Sequence, residues 1–127
     1  MRERDRYFTV AEANQLIPEL EEYISQLKSL RANLEALGTE LSPLFEVIRH
    51  NGGHRKTPDF LQQIQQFHQV VDRIKSTGGL LKDIEHGLVD FPHIRDGREV
   101  YLCWRSGETE IRYWHEVDTG AAGRQLL

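Results

Sequence analysis

Apolar residues recur at Ala13, Leu16, Leu20, Tyr23, Leu27, Leu30, Leu34, Leu37, Leu41, Leu44 and Ile48. Steps of three and four keep such positions on one stripe of an α-helix. A start signal stands just ahead: Thr9 is placed as N-cap, Glu12 completes a capping box, and Phe8 precedes them as a hydrophobic staple. The pattern predicts one helix from Val10 to about Arg49, bent near Ala13 to Ile17 because Pro18 has no N–H for the carbonyl of Asn14. Gly38 and Ser42-Pro43 are further weak points. Thr57-Pro58 restarts a helix, carried by Phe60, Ile64, Phe67, Val71 and Ile74 and stopped by Thr77-Gly78-Gly79. The stretch Arg49 to Lys56 between them, with its Asn-Gly-Gly, reads as a solvated connection rather than a phosphate loop. Two seams joined by so short a loop imply an antiparallel hairpin. The first seam runs about five heptads and the second about two, so part of a leucine stripe is left over. A coiled-coil contact forming a homodimer through the long helix is therefore expected.

From Gly79 onward the period falls to two. Leu80 to Ile84 and Leu88 to Pro92 are short strand-compatible runs, with Pro92 suited to a strand end or an edge, and Asp96-Gly97 is a turn. Arg98 to Asp118 then reads as a hairpin. A two-residue type II′ turn at Gly107-Glu108 would pair Arg105 with Glu110, Trp104 with Ile111, Tyr101 with Trp114, Val100 with His115 and Glu99 with Glu116. Alternation puts Val100, Leu102, Trp104, Ile111, Tyr113, His115 and Val117 on a core face, and Tyr101, Cys103, Arg105, Arg112, Trp114 and Glu116 on a wetter one. The like-charged Glu99 and Glu116 call for a cation nearby, with Arg98, Arg112 or Arg124 in reach. The tail Thr119 to Gln125 is flexible by composition. The fold class is thus α+β in one domain over 1–127: a long antiparallel helical hairpin (8–77) followed by a small antiparallel β-sheet (78–127).

Composition narrows the function. At 127 residues the chain is 39% hydrophobic and 28% charged, ordinary for a globular domain, and its net charge of −4 argues against a general nucleic-acid binder. No run of about 18 apolar residues exists and no signal-peptide pattern opens the chain, so a cytoplasmic protein without membrane contact is expected. The one cysteine, Cys103, has no partner for a disulfide and reads as a small strand residue.

Candidate chemistry clusters near the C-terminus. His115, on an otherwise apolar strand face, needs a polar partner, and Asp90 on a nearby strand is the candidate. Paired-histidine or cysteine spacing of a metal motif is absent, so no metal ligands are expected. Arg98, Arg105, Arg112 and Arg124 suit bidentate binding of carboxylate or phosphate, with Tyr101 and Trp114 as an aromatic wall, or they merely neutralise the neighbouring glutamates. No nucleophile elbow, P-loop or dinucleotide fingerprint is present.

One resemblance spans nearly the whole chain. Phe8-Thr9 with Ala13-Asn14 and Leu16 to Leu20, Gly87 to Pro92, Asp96-Gly97-Arg98, Tyr101 to Arg105, Gly107-Glu108, Trp114-His115-Glu116, Gly120 and Gly123-Arg124-Gln125 resemble the bacterial family known as domain of unknown function 2203. The chain departs from that pattern at Ala121, where an aromatic is usual, and at Leu126, where a proline is usual. The resemblance implies relatives but no activity, substrate or cofactor. The residues themselves lead to a small soluble binding or protein-interaction module. The alternative is an enzyme or ligand-binding protein acting on a small anionic substrate, with Asp90, Arg98, Tyr101, Arg105, Trp114, His115, Glu116 and Arg124 as candidate ligand-binding residues.

Overall fold

The computed structural model describes residues 6–36 and 58–127. The seam positions from Leu37 to Ile48, the weak points Gly38 and Ser42-Pro43, the connection Arg49 to Lys56 and the Thr57 cap lie outside the described residues.

The expected start signal is in place. The Thr9 hydroxyl accepts from the Glu12 N–H at 3.0 Å and the Glu12 carboxylate accepts from the Thr9 N–H at 2.9 Å, a complete capping box. The first helix is nevertheless two: α1 (Val10–Gln15) and α2 (Ile17–Ala36) meet at Leu16. Pro18 is the cause, since with no N–H it fits the first turn of a new helix far better than the interior of an old one. The Asn14 side chain does not patch this break. Its Oδ1 accepts from the Ile111 N–H at 2.6 Å, fastening α1 to a distant loop.

Helix α3 (Pro58–Ser76) runs antiparallel to α2. Leu34 near the end of α2 clusters with Phe60 and Ile64 at the start of α3, while Leu20, Ile24 and Leu27 share the main core with Phe67, Val70 and Ile74. At 20 and 19 residues the two described helices match in length. Of the expected α2 stripe, Leu20, Leu27 and Leu34 are fully buried within the chain, whereas Leu16, Tyr23 and Leu30 are only partly buried, and Ile17 and Ile24 take the other buried positions.

Five strands follow, β1 (Leu80–Asp83), β2 (Leu88–Arg95), β3 (Arg98–Arg105), β4 (Tyr113–Glu116) and β5 (Gln125–Leu126). They form one antiparallel meander in chain order. Asp96 and Gly97, both at positive φ, make the tight turn between β2 and β3, the backbone a two-residue type I′ hairpin requires. Pro92 lies beyond the last β1 pairing, on a local edge where its carbonyl accepts from the Phe8 N–H at 2.7 Å.

The β3–β4 connection departs from the expected hairpin. Tyr101 pairs with His115, Leu102 with Trp114 and Val100 with Glu116, one residue off the register of a Gly107-Glu108 turn. The link is a longer loop over 106–112. The Glu108 N–H closes a turn on the Arg105 carbonyl, Trp104 Nε1 donates to the Glu108 carbonyl at 2.9 Å, and Glu21 on α2 accepts from Ser106 Oγ and the Gly107 N–H. One residue of slip turns every β4 side chain over. Trp114 therefore joins Leu102 in the core, His115 moves to the opposite face, and Val117 is exposed. Trp104 is fully buried, as alternation along β3 predicts. Arg105 does not reach Glu110, whose ionic partner is Arg112 at 3.1 Å.

The tail is a further correction. A 3-10 turn at Ala121–Gly123 packs by β4, and β5 pairs Leu126 with Tyr113 and Gln125 with Trp114. Backbone hydrogen bonds override the glycine and alanine content that suggested flexibility.

Candidate functional site at the outer face of the sheet

Alternation divides the sheet. Val89, Phe91, Val100, Leu102, Trp104 and Trp114 pack toward the helices. The outward positions are Asp90, Pro92, Tyr101, Cys103, Tyr113 and His115, of which all but Tyr113 are buried. Counting back from the Asp96-Gly97 turn places Cys103 directly opposite Asp90, and the shifted β4 register places His115 opposite Tyr101.

Three polar groups meet there. His115 Nε2 lies 3.0 Å from Asp90 Oδ2, with both side chains under 5% exposed. His115 Nδ1 lies 2.7 Å from the Glu116 carbonyl. A carbonyl oxygen only accepts, so Nδ1 carries the proton and donates it. Cys103 completes the group, its ligand atom within 4.8 Å of those of Asp90 and His115. Burial, and after it the Asp90 carboxylate alongside, pushes the Cys103 thiol up to about 12, while the nearby Arg124 guanidinium pulls the other way. The free thiol is thus protonated at neutral pH and a poor nucleophile.

The remaining candidates do not converge on this point. The expected like-charge pair does not form, since Glu116 lies opposite Val100 and not Glu99; Glu116 is ion-paired with Arg98 and holds its guanidinium above its usual value. Arg95 and Arg98 lie over the Trp114 ring, 4.7 and 5.8 Å from its centroid. Tyr101 and Trp114 occupy opposite faces, so they do not form one aromatic wall. Arg105 is exposed, its backbone N–H held by the Glu108 carboxylate. Arg124 lies over Tyr113 at 4.0 Å, bonds both Glu108 carboxylate oxygens at 2.8 and 2.7 Å, and reaches the Cys103 carbonyl at 3.2 Å.

The family model described as Uncharacterized conserved protein (DUF2203) matches residues 6–127. The chain belongs to this family. No curated protein and no solved structure matches it.

In this DUF2203 chain the sequence correctly coupled His115 to Asp90 but missed two participants. Cys103 was legible through the Asp96-Gly97 register. Glu108 was not, because its role depends on how the 106–112 loop folds.

Proposed function

We propose that the chain is a small binding module whose working part is the outer sheet face around Asp90, Cys103 and His115. The observation that carries this reading is the buried Asp90–His115 contact: desolvating two ionisable groups disfavours folding unless they serve each other or a ligand. Binding is favoured over turnover of an anionic substrate because the groups for catalysis are engaged internally. Both His115 nitrogens have partners, the thiol is protonated, and Arg98 and Arg124 are held by glutamates. Among the described residues no helix is long and apolar enough to cross a membrane. We assign the protein to a reducing cytoplasm, which suits a single thiol in such a centre. A homodimer through the first helix belongs to the same proposal, its seam running from the partly buried Leu30 into positions outside the described residues. The test is purification from the native host, followed by native mass spectrometry of bound proteins and small molecules. The reading expects a retained partner or ligand that Asp90→Ala releases; an identical bound set in that variant overturns it.

A further inference from the structure

With Nδ1 of His115 donating to the Glu116 carbonyl, the lone-pair direction of Nε2 is aimed at a carboxylate oxygen 3.0 Å away. Both are acceptors, so something positive must lie between them: a proton, or a metal ion. The sulfur of Cys103 closes the triangle, and all three residues are buried. We infer that Asp90 Oδ2, Cys103 Sγ and His115 Nε2 form a binding site for a divalent cation of the zinc class. The inference rests on the binding-module reading and names its ligand.

Charge supports the assignment. Loading the site releases two protons, one from the thiol and the one shared by Asp90 and His115. A thiolate, a carboxylate and a neutral imidazole then balance the ion's two positive charges, and Arg124 and Glu108 neutralise each other beside it. The centre is neutral before and after, as a buried site requires. The donor set selects the ion, since sulfur, nitrogen and oxygen together suit zinc-like metals, whereas calcium and magnesium take oxygen shells. Size agrees as well. Tetrahedral bonds of about 2.0–2.3 Å put donors roughly 3.3–3.8 Å apart, so the 3.0 Å Asp90–His115 contact must open by under an ångström and the sulfur, within 4.8 Å of both, must close by no more than about 1.5 Å. The Glu116 carbonyl on Nδ1 is the orienting partner that a metal-bound histidine normally has. Three protein donors leave one tetrahedral position for water or a ligand atom.

The test uses the full chain, stripped with chelator and dialysed, then titrated with Co2+ and Zn2+. One equivalent should bind per chain, with intense visible bands of tetrahedral cobalt and a near-ultraviolet thiolate-to-cobalt band, all displaced by zinc. Cys103→Ser should remove the thiolate band. Asp90→Asn and His115→Gln should each weaken zinc binding at least about tenfold, whereas His86→Gln, at an exposed histidine paired with Asp83, should leave it unchanged. Circular dichroism checks each variant, with Cys103→Ala and His115→Asn as substitutes where the first choice does not fold. Cobalt bound without a thiolate band, or binding indifferent to Asp90 and His115, overturns the inference, as does absence of binding at micromolar metal. In that last case, an organic ligand or protein released by Asp90→Ala would preserve the binding-module reading, and its absence would remove both.

Discussion

On the inner face of the sheet, Val89, Phe91, Val100, Leu102 and Trp104 are shut away among apolar neighbours, while on the outer face Asp90, Cys103 and His115 are shut away with one another. The two kinds of burial obey different rules. Apolar contact is non-directional and nearly additive in area, so the inner face tolerates exchanges of similar volume. Polar burial depends on each group meeting a particular partner at a particular distance, so the outer face tolerates little. A face that stabilises by area is architecture; one that keeps desolvated ionisable groups together points to use.

The largest effect should come from the inner face. Trp104→Ala removes a fully buried indole and its hydrogen bond to the Glu108 carbonyl, and should cost about 3–5 kcal/mol in urea unfolding. A loss below about 1 kcal/mol would mean that this face is not the core it is taken for.

On the outer face, Asp90→Ala strands the His115 ring nitrogen and should cost about 1–3 kcal/mol. Removing all three polar groups together, as Asp90→Val with Cys103→Val and His115→Leu, should cost less than the single change, since nothing is then left unpaired. Were the triple variant the less stable, the cluster would be holding the fold together instead of being held by it.

At the junction of helices, turn and sheet, Gly87 has φ +66°, and a Cβ there would lie 2.4 Å from Ser106 Cβ and 3.3 Å from Ile24 Cγ2. Gly87→Ala should cost roughly 1–3 kcal/mol. Gly97→Ala, with φ +80° but open space, should cost less. Equal losses in thermal melts would assign the whole effect to backbone conformation and none to the close approach.

The smallest effect lies outside both faces, at the exposed capping box. The Thr9 backbone N–H holds the Glu12 carboxyl below its usual 4.5. A lowered folded-state value means that the stabilisation is present above the ordinary carboxylate pKa and is lost as pH falls through the lowered one. Glu12→Gln should therefore be less stable than wild type at pH 7, with the gap closing below about pH 4.5. A gap that persists at low pH would point to packing.

Much of this was readable from residue order. Thr9 and Glu12 act within three residues of one another, and the seams of α2 and α3 repeat their apolar positions often enough to average out local irregularity. Trp104 was placed inward by alternation along one strand. His115 was coupled to Asp90 through the wrong face, and the pairing survived only because a buried imidazole must find a partner wherever it lies. Composition misleads at the tail, because glycine and alanine report local freedom and say nothing of a neighbouring strand edge.

By itself the sequence determined what repeats or acts locally: the helix start at Thr9, the facing seams, the change of period at Gly79 and the turn at Asp96-Gly97. Tertiary structure alone decided the β4 register, and with it which face received His115. Loop 106–112 is held by Glu21 and Asn14, 85 to 97 residues away along the chain. A side-chain period of two converts one residue of loop length into a change of face. The place of His115 beside Asp90 and Cys103 follows from that distant tether, which no local pattern records.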